Sequence, residues 1–373
     1  MTYLPLSRGR HRVALLAGVA ALSVALSACA AGSGDDDNGS TGGSAETVES
    51  KIGYVQADRA AHLLECAKTE GSVNYYSTSS AAPTLKDPFE AAHPGVTMNV
   101  TSSPQASQQL VQEENAGRHN FDVMDDAYGL LARDDKMFAK LPTEPYAGVR
   151  DQVKGDYYVG TSGYILSLGY NADVVGAGAP TSWQSLTDPK WKGKMWISGG
   201  QTGEAVMALM EKEYGKEFAE QLAANVRLQS SMAPRALADA LLAKQMDVAL
   251  NVTSSYIKTD TIDKKNGFRF GVMDPMIGQF QVASISKNAP HPCGAALLVD
   301  WLTNKDGGQA VFAKAGRASP LNDQPILPFE VPGSDPTTWK IVYNTEPAYI
   351  EGFDSTEEAL SAWHERFREL FNT

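Results

Sequence analysis

Short β-prone runs alternate with helical stretches along most of this chain, and Gly and Pro mark the joints between them. The first helix is expected over residues 57–69, with Leu63, Leu64 and Ala67 on one face and Gly71 as its stop. Residues 72–77 read as a strand, and a helix over 85–92 ends at His93-Pro94-Gly95, where Pro and Gly forbid continuation. Strands at 96–100 and 121–124 and helices at 104–116 and from Tyr128 into Lys136 repeat the pattern. The second half follows with a long β-prone run, 157–170, and a capping box at Thr181-Ser182-Trp183-Gln184 that marks a helix start. Strands at 194–197, 247–252 and 270–273 then alternate with helices at 202–214 and 233–244. After 280–286 the chain turns helical, at 295–303, 308–315 and finally 357–371. Such alternation with short connections implies an α/β fold with mainly parallel sheets and helices on their faces. No fixed-period repeat points to a solenoid or propeller.

The first 28 residues do not belong to that pattern. Arg8, Arg10 and Arg12 precede an uncharged apolar run, 13–26, with no acidic residue before it. This is the layout of a secretory signal, and the run is shorter than the roughly 20 residues of a transmembrane helix. Leu26-Ser27-Ala28-Cys29 resembles the bacterial lipobox, which implies cleavage before Cys29, lipid on its thiol and a membrane-anchored, extracytoplasmic protein; an ordinary signal peptide with an incidental Cys is the alternative. Residues 29–51 are expected to be the lipidated Cys and a flexible Gly/Ser/Asp linker. Without residues 1–28 the chain carries 29 basic and 44 acidic side chains, a net of −15, which argues against a nucleic-acid partner. If Cys29 carries lipid, Cys66 and Cys293 remain as an even pair in an oxidising compartment, either disulfide-bonded or as two buried thiols.

Several segments carry a family resemblance. Tyr170-Asn171-Ala172-Asp173-Val174-Val175 is followed by Pro180-Thr181-Ser182-Trp183-Gln184-Ser185-Leu186-Thr187-Asp188-Pro189-Lys190-Trp191-Lys192-Gly193-Lys194. Ile285-Ser286-Lys287-Asn288-Ala289-Pro290-His291-Pro292 and Ala315-Gly316-Arg317-Ala318-Ser319-Pro320 come later. In order and spacing, over roughly residues 71–325, these resemble bacterial extracellular solute-binding proteins, the group serving ABC importers for ferric ion, thiamine, phosphonates and related ligands. The resemblance implies a two-lobed clamp joined by two crossover strands, with 157–167 going out and 280–286 coming back. Lobe one then comprises 52–160 plus 282–373 with the C-terminal helices, and lobe two comprises 161–281 with the hinge strands. A small-molecule ligand, a membrane permease as partner, a monomeric state and no resident cofactor are the corresponding expectations.

Ligands of parallel sheets sit beyond the carboxyl ends of strands, near helix starts. That rule selects Ser77, Thr78 and Ser79 after the first strand, and Ser102 and Ser103 after the second. It also selects Gly200, Thr202 and Gly203 in one later segment, and Ser254, Ser255 and Tyr256 in another. Hydroxyls and free N–H groups there suit an anion of the phosphonate or phosphate-ester kind, although the same residue types also cap helices and make turns. Asp126 and Tyr128 at another strand end, and Ser231 at a strand-to-helix junction, complete the candidates. Arg235, one turn further on, reads as a solvated surface residue. Iron-binding relatives use tyrosines, commonly an adjacent pair; here Ser255-Tyr256 holds one of the two, and a ferric site would need Tyr76, Tyr128 and Tyr256 to converge. No catalytic residue is assigned: HExxH, GxSxG, GxxxxGK(S/T) and CxxC are absent, and Ser284-Ile285-Ser286-Lys287 matches only the bare S-x-x-K pattern.

Overall fold

The computed structural model describes residues 46–126, 136–345 and 357–372. The signal segment, Cys29, Tyr128 and the expected helix at 128–136, apart from its last residue, lie outside them. The first half runs α1 (Val48–Ile52), α2 (Arg59–Glu70), β1 (Ser72–Ser77), α3 (Lys86–Ala92), β2 (Thr97–Ser102), α4 (Ala106–Asn115) and β3 (Val123–Asp126). After β4 (Lys154–Gly155) comes the long β5 (Tyr158–Asn171), then α5 (Ala172–Val175), β6 (Met195–Ser198), α6 (Gln201–Tyr214) and α7 (Lys216–Asn225). Next are β7 (Val226–Gln229), α8 (Pro234–Leu242), β8 (Val248–Thr253), β9 (Phe268–Gly271) and β10 (Met276–Ile285). The chain closes with α9 (Pro292–Leu302), α10 (Gly308–Lys314), β11 (Ile341–Tyr343) and a C-terminal helix (Glu357–Phe371).

Among the described residues eleven strands join one mixed sheet in the order β2-β1-β3-β10-β5-β8-β6-β7, with β4 and β9 on β5 and β11 on β10. On one side β1 is parallel to β2 and β3; on the other, β6 is parallel to β7 and β8. Between these halves run β10 and β5, antiparallel to each other from Ile277↔Leu166 to Ala283↔Val159. β5 leaves the first half and pairs with β8 and β9 in the second, and β10 returns to pair with β3. The strand ends of both parallel sets therefore face one another across the two crossing strands.

Two large apolar cores flank the sheet, and the first spans both halves, taking in Leu237, Leu241, Val252 and Phe268 beside residues of the first half. Around Val73, Tyr75, Phe89 and Trp301 the first half packs α2 against the almost wholly buried α9. Two polar devices fix that packing. Arg59 donates from Nε to Asp300 Oδ2 at 2.7 Å and from Nη2 to Oδ1 at 3.1 Å. Glu70 caps the start of α9, accepting from Gly294 N at 2.8 Å. Beside it Cys66 and Cys293 form a disulfide with Cα atoms 5.8 Å apart. The second half packs around Trp183, Met195, Ile197 and Leu250. Among the described residues no helix is long and apolar enough to cross a membrane.

Three local expectations change. The end of the expected linker is the helix α1, because the Thr47 side chain caps it and Ile52 is fully buried. Instead of a full helix after Thr181 there is one 3₁₀ turn (Gln184–Thr187), stopped where Asp188 turns extended ahead of Pro189. The C-terminal helix, expected with the first half, packs on α6 and α7: Phe367 and Leu370 enter the second core, and Arg366 bridges Glu211 at 2.9 Å and Glu220 at 3.1 Å.

Candidate functional site

The facing strand ends enclose a cavity of about 620 Å³. One wall is the loop after β1, Thr78–Ala81, with Pro104 behind the end of β2. The crossing strands supply Tyr164 from β5 and Gln281 from β10. The opposite wall is the start of α8, through Arg235, the last residue of β8, Thr253, and the segment after it, through Ser255, Tyr256 and Thr259. Arg317 closes the rim beyond α10. It reaches that position because Gly316 turns the chain at φ +71°, a conformation an L side chain resists.

Two arginines approach from opposite sides, each over a tyrosine. Arg317 Cζ lies 5.4 Å from the Tyr164 ring centre, and Arg235 Cζ lies 4.9 Å from that of Tyr256. Their charges are held differently. Arg235 donates to Asp260 Oδ2 at 2.6 Å and also to Asp239, so two carboxylates compensate it. The Asp260 side chain is fully buried; burial alone would raise its carboxyl, but the Arg235 guanidinium and the Thr259 hydroxyl override this and hold it below the usual range. Arg317 has no carboxylate within ion-pair distance among the described residues; its Nη2 donates to Ser79 Oγ at 3.4 Å. Burial pushes the Tyr256 hydroxyl up to about 12 and raises that of Tyr164, against the pull of Arg317. Among the described residues that line the cavity there is no Asp, Glu, His or Cys. Arg317 brings a positive charge with no directly bonded carboxylate among the described residues into a lining of hydroxyls, an amide and two aromatic rings, and the buried Asp125 behind the wall feels that charge.

Thr78, Ser79, Ser255 and Tyr256, all expected from strand-end position, line this cavity. Their neighbours Ser77 and Ser254 do not: both are fully buried anchors. Ser77 Oγ donates to Asp125 at 3.1 Å, and Ser254 Oγ accepts from Ile165 N of β5 at 3.0 Å. Ser102 supports the loop from behind, donating to Ser79 O at 2.9 Å, whereas Ser103 caps its own turn through Gln105. Asp126 accepts from Thr78 Oγ1 at 3.3 Å and does not line the cavity.

The segment at the start of α6 stays outside. Thr202 Oγ1 accepts from Asn251 at 2.9 Å, Gly200 supplies the turn at φ +74°, and a Cβ on Gly203 would stand 2.0 Å from Ser198 O. These residues are chosen by packing at the helix start. Ser231 is an exposed turn residue. Tyr76 does not converge with Tyr256, since strand alternation turns its ring into the first half, where its hydroxyl donates to Glu113 at 3.0 Å. Ser284 is buried within β10, away from the cavity, so the S-x-x-K match has no site around it.

Sequence reasoning missed Tyr164, Gln281 and Arg317 and misjudged Arg235. A usable signal was present: polar residues inside otherwise apolar crossing strands, and an Arg placed directly after a helix-ending Gly. A second cavity of about 420 Å³ lies near Glu213, Tyr214, Asp274 and Lys340. There Lys340 Nζ lies 3.1 Å from Glu213.

The fold is similar to that of iron-bound HitA from Pseudomonas aeruginosa at 19% identity and TM-score 0.63, covering 79% of this chain and 98% of that one. A ferric binding protein from Campylobacter jejuni (13% identity, TM-score 0.63, 79% and 98% covered) has the same fold. So does an ABC transporter substrate-binding protein from Bradyrhizobium japonicum (17%, 0.63, 78% and 99%). Among curated proteins none matches by sequence. The sequence profile of the family described as bacterial extracellular solute-binding protein matches residues 121–340, more than half of the chain, and the chain belongs to that family.

Proposed function

We propose that this protein is the lipid-tethered, ligand-capturing component of an ABC importer and that its cavity takes a small anion. Arg317 is the observation that carries the ligand class: a cavity-lining guanidinium with no carboxylate partner among the described residues. A guanidinium presents a planar fork of donors that matches a carboxylate or phosphate edge. The hydroxyls of Ser79, Thr253 and Ser255 line the same cavity and supply further donors to anion oxygens. A ligand touching both walls favours the closed arrangement of the two halves over the open one, because only closure supplies both sets of contacts. Among the described residues the cavity lining pairs no nucleophile with a base, which suits a protein that binds and releases its ligand unchanged. The lipobox-like Leu26-Ser27-Ala28-Cys29 supports anchoring through Cys29, which keeps the monomeric protein concentrated near its permease.

A second reading, ferric ion held together with an anion, is favoured by the two phenols that line the cavity, Tyr164 and Tyr256, and by the solved relatives described as ferric binding proteins. Thermal shift and calorimetric titration with phosphate, citrate, a phosphonate, spermidine and ferric citrate test both. Anions should stabilise by about 2.7 kcal/mol at one hundred times their Kd, and spermidine should not act. A tyrosinate–iron charge-transfer band with ferric citrate would favour the second reading. Stabilisation by spermidine alone would overturn the anion assignment.

A further inference from the structure

We propose that Asp125 is the positioning residue of this cavity: it lines no part of it, yet fixes both groups that hold Arg317. The inference rests on the reading of Arg317 as the anion-binding charge. Asp125 is the penultimate residue of β3 and is 2% exposed, with no Lys, Arg or His within ion-pair distance among the described residues. Burying a carboxylate is costly unless its oxygens are hydrogen-bonded; burial raises the Asp125 carboxyl, and hydroxyl donors together with the more distant charge of Arg317 oppose that. Here three hydroxyls converge on it. Tyr75 donates at 2.7 Å and Ser77 at 3.1 Å to Oδ2, and Thr161 donates at 2.8 Å to Oδ1.

Two of these donors, Ser77 and Thr161, lead to the cavity. With its hydrogen committed to Asp125, Ser77 Oγ turns a lone pair outward and accepts from Ser79 N at 3.0 Å. The main-chain oxygen of Asp125 accepts from Thr78 N at 3.1 Å. Thr78 and Ser79 are thereby set in the cavity wall, and Ser79 Oγ accepts from Ala81 N at 3.2 Å and from Arg317 at 3.4 Å. Thr161 is on β5, three residues before Tyr164, whose ring lies under the Arg317 guanidinium. Both contacts of Arg317, the Ser79 hydroxyl and the Tyr164 ring, therefore trace back to one carboxylate. An acceptor-only group suits this role, because it leaves the three hydroxyls no choice of direction.

The test compares Asp125→Ala and Asp125→Asn in the full chain. Asn keeps an oxygen for Tyr75 and Ser77, and its NH₂ donates to Thr161, whose hydroxyl is free to donate to Gln281 O, 3.4 Å away. Ala offers nothing. Asp125→Ala should accelerate hydrogen exchange of the Thr78, Ser79 and Ala81 amides and weaken citrate binding about tenfold, with Asp125→Asn restoring affinity to within about threefold. Unchanged exchange and affinity in the Ala variant, or an Asn variant as weak as Ala, would overturn the role. If Asp125→Ala does not fold, Ser77→Ala carries the test: it should speed exchange at Ser79 and weaken citrate about fivefold, and no change in either overturns the proposal. If the native chain binds neither citrate nor phosphate, the anion reading fails, and exchange alone then decides for or against Asp125.

Discussion

Removing Arg235 tests whether the cavity wall is held by a buried ion pair. In Arg235→Ala the fully buried Asp260 carboxylate keeps only the Thr259 hydroxyl at 3.0 Å and Lys264 Nζ at 3.5 Å. Breaking a buried pair costs about 3–5 kcal/mol. The Arg235 side chain is 37% exposed, so solvent already screens part of its attraction, and Lys264 remains. The expected loss is therefore about 2 kcal/mol, including a few tenths from the lost stacking on Tyr256. With a urea slope of about 3 kcal/mol/M, the midpoint should fall by about 0.7 M at neutral pH. The pH dependence gives an independent sign. The folded carboxyl of Asp260 is held below its unfolded value. The pair's contribution is thus present above the unfolded value of about 3.9 and lost as pH falls through the lower folded value. The gap between native and variant should narrow on acidification below about pH 4, and adding Asp260→Asn to Arg235→Ala should recover part of the loss at neutral pH. A loss below about 0.5 kcal/mol at neutral pH, or a gap that persists in acid, would show that the pair does not hold the wall.

Other perturbations separate binding from scaffold. Ser255→Ala with Tyr256→Phe removes two cavity hydroxyls but keeps the ring that packs on Phe268, so citrate affinity should fall about tenfold by calorimetry with little change in unfolding. Gly203→Ala should cost about 2 kcal/mol or more in urea, because its Cβ meets Ser198 O at 2.0 Å, and should leave anion affinity alone if the variant folds. Replacing Cys66 and Cys293 by Ser opens a crosslink between residues 227 positions apart; the chain-entropy limit is about 5 kcal/mol and the expected loss about 2–4. Alkylation of the folded, unreduced protein should modify neither thiol.

The alternation of strands and helices was readable because each parallel strand and its flanking helix carries its own period and its own Gly or Pro stop. Ser72–Ser77 and Glu357–Phe371 have the limits expected from sequence. β11 was not readable: its three residues, Ile341–Tyr343, follow a proline-broken stretch and become a strand only by pairing with β10. The C-terminal helix was found, but not its place, which depends on Arg366 meeting Glu211 and Glu220 from distant helices. At the site, strand-end position located the loops but not which side chain faces inward. Ser77 and Ser79 look alike in sequence; the first is committed to Asp125, 48 positions away, and the second to the cavity. Arg235 and Arg317 were likewise indistinguishable until Asp260 and Asp239 proved to compensate only one of them.

Replacing Arg317 by Gln separates a ligand-binding charge from a structural one. Gln retains hydrogen-bonding ability and much of the length but carries no charge; among the described residues no carboxylate within ion-pair distance loses a partner, and Asp125 keeps its three hydroxyl donors while losing only the more distant pull of the charge. Calorimetric titration with citrate, beside urea unfolding without ligand, should show an affinity loss of about 30-fold or more. The unfolding free energy should stay within about 0.5 kcal/mol of the native value. Equal citrate affinity in the two proteins, or a loss of affinity matched by an equal loss of fold stability, would contradict the assignment of Arg317 as the charge that captures the ligand.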